Sequence, residues 1–584
     1  MMKIFQHIGG LLPRRSRFNL SYTKKFSADM GKIYPVLCEE VVPGDTWKIG
    51  NNIVIRFQPL VAPILHNINV KVHYFFVPYR ILWSKLHNDE MNLPLDGSWE
   101  DFIAGVNDPL PESDGAVTPD EDEPILPRFY PVAGTGYDSS GAISAKKSLW
   151  DFFGMNVGVT TDAEDVPTHQ SAVKDSFPLL FPWLAYNMIY NEYYRDENLI
   201  EPVELDQGAV LNCCWNKDYF TSALPWQQRG IAPALPISGY GVATFTGDFM
   251  SMGTPIEPIT LRSNAATRYI RGRTGQSYVP PLEPDLGTPF VFQPASDYLE
   301  ELGSYDNDIA DQERINSNFN INMRNALNQN RVALDNVNTF DISDLRLAFQ
   351  VQKWLERNAR GGVRYTEFLK AHFGVSPRDD RLQRPEYIGG SKSPVVISEV
   401  LQTSSTDSTS PQGNLAGHGL VADGNFCSSY TATEYGLVMG LMTVVPDTEY
   451  QQGINRQWLR KTKYDFYSPE FAHLSEQAIE EGEIYFTGDP SNDKKIFGYQ
   501  GRFDEMRVKQ NMTCSEMRDT FDYWHLGRKF VSAPNLNGDF VTCRPSKRIF
   551  AVQDEDTLIV SFHNRVKAIR PLPLIGEPGL IDHN

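Results

Sequence analysis

Between Asn52 and Gln58 polar and apolar residues alternate, with Ile53, Ile55 and Phe57 on one side and Asn52, Arg56 and Gln58 bracketing Val54 on the other. A period of two places successive side chains on opposite faces and predicts a half-buried strand. Ile68, Val70, Val72, Tyr74 and Phe76 repeat the pattern against Asn67, Asn69, Lys71 and His73. Phe75 and Val77 thicken its end into a strand covered on both faces, which Pro78 stops. Further strands are predicted at Val242–Phe249, Pro394–Leu401, Gly436–Val445, Glu483–Phe486 and Leu558–Phe562.

Helical signals are fewer. Ser148–Gly154 reads as a short capped turn, and Phe177–Glu197 as a longer helix with Pro178 and Pro182 near its start. Asp341–Asn358 carries an apolar stripe of Leu345, Phe349 and Leu355, and Gly361-Gly362 stops it. Thr366–Gly374 follows, and Ser468-Pro469-Glu470 opens another helix with a cap, a first-turn proline and an acid.

Strands spread along the whole chain, separated by long Pro- and Gly-rich connections and a few local helices, indicate an all-β sandwich with large insertions. The chain has 584 residues, so most of it must lie in loops and insertions. Loops of that length are ordered against something, and further copies of the same protein are a natural support. We expect a basic N-terminal arm at 1–30 and a single domain at 31–584. Within that domain the segment of about 236–340 is expected as an outward insertion.

No stretch is apolar enough to span a membrane, and Met1–Arg17 lacks the core and cleavage site of a signal peptide. Six cysteines without a C-x-x-C pair are not a disulfide framework and favour a reducing site of folding.

The net charge of −19 argues at first against a polyanionic partner. Its distribution changes that picture. Twelve acids and no Lys or Arg lie between Lys85 and Arg128, and nine acids without one lie between Arg273 and Arg314. Those blocks exceed the whole surplus and read as solvated loops. The run Asp120-Glu-Asp-Glu123 is an exposed turn or, less simply, a cation site. The first 25 residues hold Lys3, Arg14, Arg15, Arg17, Lys24 and Lys25 ahead of the first acid, Asp29. Such a segment either touches phosphate or is a soluble tail. A second basic stretch, Lys353–Arg384, interleaves Tyr365, Phe368 and Phe373, and fits a nucleic-acid surface or a solvated or interface face.

No catalytic residues, cofactor or metal are expected, and the chain is not read as an enzyme. H-E-x-x-H, G-x-S-x-G and the P-loop pattern do not occur, and the eleven histidines show no metal-pair spacing. Gly134-Thr-Gly136 and Gly417-His-Gly419 read as turns, with His418 in a loop. Trp150, Phe152 and Phe153, or Tyr186, Tyr190, Tyr193 and Tyr194, fit a sugar platform. At helical spacing they fit core or interface anchors better.

Ordered blocks then carry a resemblance. They begin with Arg15-Ser-Arg-Phe-Asn-Leu-Ser21, Glu39-Glu-Val-Val-Pro-Gly-Asp-Thr46 and Phe75-Phe-Val-Pro-Tyr-Arg80. Asn191-Glu-Tyr-Tyr-Arg-Asp-Glu-Asn198, Lys217-Asp-Tyr-Phe-Thr-Ser-Ala-Leu-Pro-Trp226, Ala359-Arg-Gly-Gly-Val-Arg-Tyr365 and Arg381-Leu-Gln-Arg-Pro-Glu-Tyr387 follow. Pro469-Glu-Phe-Ala472, Phe497-Gly-Tyr-Gln-Gly-Arg502, Tyr523-Trp-His525 and Ala568-Ile-Arg-Pro-Leu-Pro573 complete the set.

Together they resemble the major capsid proteins of the microviruses, in particular the gokushovirus group of single-stranded-DNA bacteriophages. The resemblance implies an eight-stranded viral jelly roll and sixty copies in a T=1 icosahedral shell, assembled in the bacterial host cytoplasm around a circular single-stranded DNA genome. As partners it implies a small basic DNA-binding virion protein, pilot and scaffolding proteins, and a host surface receptor for the surface loops. Protrusions at the threefold axes correspond to the segment of about 236–340. Arg14, Arg15, Arg17, Lys24 and Lys25 are the expected genome contacts. The alternative is a glycan-binding or glycan-cleaving β-sandwich, which shares the aromatic-rich β composition.

Overall fold

The structure is a computed structural model. It describes residues 15–87, 99, 146–155, 178–231, 342–362, 364–374, 378–401, 415–472, 474 and 476–575, with short strands between 240 and 333. Two compact units divide the chain, one formed by Ala232–Gln352 and the other by the flanking stretches.

The larger unit is built on β1 (Ser16–Asn19), β2 (Tyr22–Ala28), β3 (Ile33–Val41), β4 (Thr46–Phe57) and β5 (Ile68–Pro78). After a long connection come β6 (Glu386–Pro394), β7 (Val396–Leu401), β8 (Leu415–Thr431) and β9 (Gly436–Pro446). A second long connection holds the hairpin β10 (Glu476–Glu480) and β11 (Ile496–Gly501), and β12 (Leu558–Arg570) closes the fold. The first sheet has the order β1-β12-β4-β8-β7, with β2 also on β12; the second has the order β6-β5-β9-β3. Every pairing within these two sheets is antiparallel. β2, β3, β4 and β5 alternate between the sheets, and so do β8, β9 and β12, which is the double-sheet jelly roll of eight strands (β2–β6, β8, β9, β12).

The inner faces enclose one core: Trp47, Ile49, Ile53 and Ile55 of β4 and Val560, Phe562 and Val566 of β12 meet Val70, Val72, Tyr74 and Phe76 of β5. Its buried polar atoms cross between the sheets. Asn51 of β4 donates to the Tyr74 hydroxyl at 3.1 Å, and Asn564 of β12 donates to the Val36 carbonyl of β3 at 2.8 Å. Such bonds let buried amides fix the register instead of opposing burial.

The two sheets differ on their far sides. β9 is buried along its entire length. Its Leu437, Met439 and Leu441 join Ile33, Phe75 and Val77 in a second cluster, under α1 (Tyr79–His87), α2 (Leu149–Phe152) and α3 (Phe181–Ile189). Phe75 and Val77 thus cover the second face that the sequence predicted. The aromatic residues Trp150, Phe152 and Tyr186 are core anchors; the Tyr186 hydroxyl donates to the Ile33 carbonyl at 2.8 Å. A third cluster, with Phe220, Tyr450, Ile479 and Phe497, packs the β9–β12 connection. The first sheet instead alternates buried and exposed along β4 from Ile53 to Phe57 and along β12 from Leu558 to Val560 and from Asn564 to Ala568.

Several expectations change. Glu483–Phe486 is not a strand: a 3-10 turn spans Glu481–Glu483, because the buried Glu483 carboxylate accepts from Arg456 at 2.6 Å and from the Tyr219 hydroxyl at 3.1 Å. Gly417-His-Gly419 is not a turn but lies inside β8, where glycine is required by close approach: a Cβ at Gly417 would meet the Ala62 carbonyl oxygen at 2.4 Å. Residues 16–28, expected as part of an arm, are paired strands on β12. Pro394–Leu401 divides into the end of β6 and β7, and the long helix from Phe177 narrows to α3 followed by a π-turn at Tyr190–Tyr194. Asp341–Asn358 forms a helix over Ile342–Gly361 and Thr366–Gly374 one over Tyr365–Phe373, while Ser468 precedes only a 3-10 turn.

In the smaller unit Tyr240–Val242 pairs with Arg331–Ala333, Thr260–Leu261 with Phe290–Val291, and Ile270–Arg271 with Ser277–Tyr278. The remainder of the predicted strand Val242–Phe249, Gly134-Thr-Gly136 and Asp120–Glu123 lie outside the described residues.

Candidate nucleic-acid interface

The N-terminal basic residues are positioned by β12. Asn19 breaks the strand by accepting from the Ser21 hydroxyl at 2.7 Å, and Leu20 N–H rejoins β12 at the Val566 carbonyl, 2.9 Å away. On either side of this break the chain alternates. Arg17 stands opposite Ile569 and Lys25 opposite Ser561, on the outward side of the first sheet, and both are exposed. Arg15 is exposed just before β1, with its guanidinium against Gly44. Arg14 lies outside the described residues.

Lys24 points the other way. It stands opposite Phe562, and its ammonium donates to the Pro35 carbonyl at 2.8 Å and to the Phe152 carbonyl. Burial lowers its pKa to about 8, against partial support from Cys38 and Asp151. Its hydrogen bonds are spent inside the fold, so the structure does not bring Lys24 together with Arg17 and Lys25.

Three arginines of the second basic stretch are held in ion pairs. Arg360 pairs with Glu476, Arg384 with Asp379 at 2.5 Å, and Arg364 lies 3.4–3.9 Å from Glu367, Glu197 and Glu192. All of these except Glu192 line a cleft of about 1520 Å³ that also contains Lys71, His73, Tyr194 and Tyr387. The His73 Nδ1 is 2.8 Å from the Tyr194 hydroxyl, and burial, reinforced by Lys71, lowers its pKa to about 4. The imidazole is therefore neutral at physiological pH. The cleft holds charge mostly as matched pairs. Among the described residues no group of three or more His, Cys, Asp or Glu side chains is placed to hold a metal, and all six cysteines are free thiols.

A double-sheet jelly roll is the architecture of viral capsid domains, and also of lectin domains and cupins. The sequence profile of the family described as "Capsid protein (F protein)" matches residues 7–121 and 146–580, and the chain belongs to that family. It is 32% identical to capsid protein VP1 of Chlamydia phage 1, over 99% of this chain and 98% of that one. It is 30% identical to capsid protein VP1 of Bdellovibrio phage phiMH2K, over 98% and 97%, and 28% identical to that of Spiroplasma virus 4, over 98% and 96%. The protein is a structural capsid protein of the microvirus type and a component of the virion; the glycan-active alternative is not favoured.

Proposed function

We propose that sixty copies of the chain form a T=1 shell around a circular single-stranded DNA genome. The N-terminal segment Lys3–Lys25 lines the inside and Arg14, Arg15, Arg17 and Lys25 meet phosphates. The observation that carries the DNA contact is the outward placement of Arg17 and Lys25 on β1 and β2, where no ion pair to a described residue engages them. Phosphate contacts of this kind release counterions and are indifferent to sequence. A small basic virion protein complements a chain whose own charge outside the two acidic blocks is only slightly positive. No enzymatic step belongs to this role.

The test is the triple variant Arg14→Ser, Arg15→Ser, Arg17→Ser. Shells should form but hold less DNA, with the deficit growing at high salt. Shells that package normally, or that never form, overturn the phosphate role.

The insertion of about 236–340 is proposed as the outward threefold protrusion, with host attachment as its use. Its support is that Ala232–Gln352 is a compact unit of its own and that the stretch is rich in Asn, Pro, Gly and acid. Particles lacking the insertion should be smooth and poorly infectious; full infectivity rejects the attachment role.

A further inference from the structure

The outward face of the first sheet continues beyond the N-terminal strands. Along β12 the odd-numbered residues from Ile559 to Ile569 point outward, and in register with them stand Lys48, Gly50, Asn52, Val54 and Arg56 of β4. Across β4 lie Ala422, Gly424, Phe426 and Ser429 of β8. The cations of this face are Arg17, Lys25, Lys48, Arg56, Arg565 and Lys567, all exposed. None of the strand residues on this side is Asp or Glu, and none of the six cations forms an ion pair with a described residue. Asp556, which meets this face at Ser27, is engaged by Lys147 at 2.8 Å and by the Ser27 hydroxyl.

Two details show that the charge is built in. Lys48 and Lys567 are directly opposite each other on neighbouring strands, a like-charge pairing that destabilises an isolated sheet. Arg565 lies over Gly50: a Cβ there would be 3.3 Å from its guanidinium, and Arg565 is held by the Asn52 side-chain oxygen at 3.3 Å. Between the cations are apolar side chains without cover. Phe426 is 65% exposed, Ile559 53% and Val54 41%.

We propose that this face, across β12, β4 and β8, is a track for single-stranded DNA, with Lys48, Arg56, Arg565 and Lys567 on phosphates and Phe426 as a stacking platform for bases. The inference rests on the genome-enclosing role above and extends it to residues outside the N-terminal segment. Charge complementarity commits the face to a polyanion. The exposed aromatic and aliphatic surface between the cations favours nucleic acid over an acidic loop of a neighbouring copy, because every base has a face that stacks. The face would then form the inner wall of the shell.

The experiment uses the full chain as dissociated subunits and a 20-nucleotide oligothymidylate, with binding followed by fluorescence anisotropy over a salt series. Each phosphate contact on a single strand contributes about 0.7 to the slope of log K against log salt, so Lys48→Gln, Arg565→Gln, Lys567→Gln together should lower the slope by about 2. Lys48→Gln alone removes the repulsive pair, so its fold is not at risk, and it should lower the slope by about 0.7. Lys48→Arg with Lys567→Arg should keep it. Lys461→Gln, Lys463→Gln, Lys509→Gln, in exposed loops elsewhere, should also leave it unchanged.

An unchanged slope in the Lys48→Gln and triple Gln variants overturns the track. So does tighter binding of a peptide carrying Asp120–Glu123 than of the oligonucleotide, which would make the face a subunit contact. If the natural protein neither binds oligothymidylate nor packages DNA, the genome-enclosing role itself fails. If it does both, and the Gln variants do so equally, only the track fails.

Discussion

Asp45 is the residue whose removal should most clearly loosen the jelly roll. It closes the turn between β3 and β4, with its N–H donating to the Val42 carbonyl at 3.0 Å. Its carboxylate is fully buried. One oxygen accepts from the Trp47 indole at 3.2 Å and from the Val42 N–H at 3.3 Å, and lies 3.0 Å from Nε of Arg570 at the end of β12. Arg570 also donates to the Glu40 carbonyl at 2.5 Å and stacks over Trp47 at 5.3 Å.

Asp45→Ala leaves an arginine without its anion and two donors without an acceptor. Breaking a buried pair costs about 3–5 kcal/mol. The Arg570 side chain is 24% exposed and can turn partly to water, which favours the lower end, and an orphaned indole N–H adds about 1–3 kcal/mol. A net loss of about 4 kcal/mol is expected, against about 2 kcal/mol for Asp45→Asn, which keeps an acceptor but not the charge. Urea unfolding followed by tryptophan fluorescence measures the shift in the first cooperative transition. The decisive comparison is the double variant with Arg570→Met. If Asp45 acts through Arg570, the double variant should lose well under the sum of the two single losses. Simple additivity, or an Ala variant as stable as the natural protein, refutes the reasoning.

Glu449 lies 3.4 Å from Nδ1 of His66 and 3.7 Å from Nδ1 of His525, and its pKa is lowered chiefly by the hydrogen bond with His66. A depressed carboxyl contributes stability that is present above its ordinary value of about 4.3 and is lost as pH falls through the lower folded value. The melting temperature of the natural protein should therefore fall more steeply on the acid side than that of Glu449→Gln; parallel profiles contradict this. Gly440→Ala should destabilise by about 1–3 kcal/mol through overpacking, since its Cβ would sit 2.7 Å from the Tyr74 ring and 3.0 Å from Leu37 Cβ; an unchanged thermal transition rejects it. Chelator should leave assembled particles intact. Dissociation reversed by calcium would reveal a site that the described residues do not form.

What was legible in the sequence follows from which strands have one uniform face. Ile53–Phe57 and Ile68–Tyr74 alternate cleanly, and Gly436–Val445 is apolar but for Thr443 because β9 is covered on both sides. β8 was not legible. Gly417 and Gly419 read as a turn, yet both are there because Ala62 and Phe57 crowd the backbone. β2 is obscured for a different reason. Its charge suggests an arm, while its alternation, with Lys24 and Phe26 on one side and Thr23, Lys25 and Ser27 on the other, is that of a strand. That alternation also held the information that Lys24 and Lys25 face different environments. The outward row Lys48, Arg56, Arg565 and Lys567 could not be assembled from sequence, because it exists only through the antiparallel register of two strands some 500 residues apart.

The same register explains why the open face lies on the first sheet and not the second. The connection from β5 to β6 returns helices onto the far side of β5 and β9, and Trp183, Leu184 and Ile189 of α3 join Met439 and Leu441 in one cluster. Burial of that size stabilises the sheet but removes the face from any partner. The first sheet receives no such cover from the described residues, so its stability must come from the inner core and from strand pairing alone. It then keeps a like-charge pair at Lys48 and Lys567 that packing would not select. A shell subunit gains from this division: one sheet is anchored by the helices packed on it, while the other is left cationic and uncovered by the described residues. Placing the first and last strands of the chain on that open sheet joins the N-terminal cations to those of β12 and β4, so that a single surface collects them.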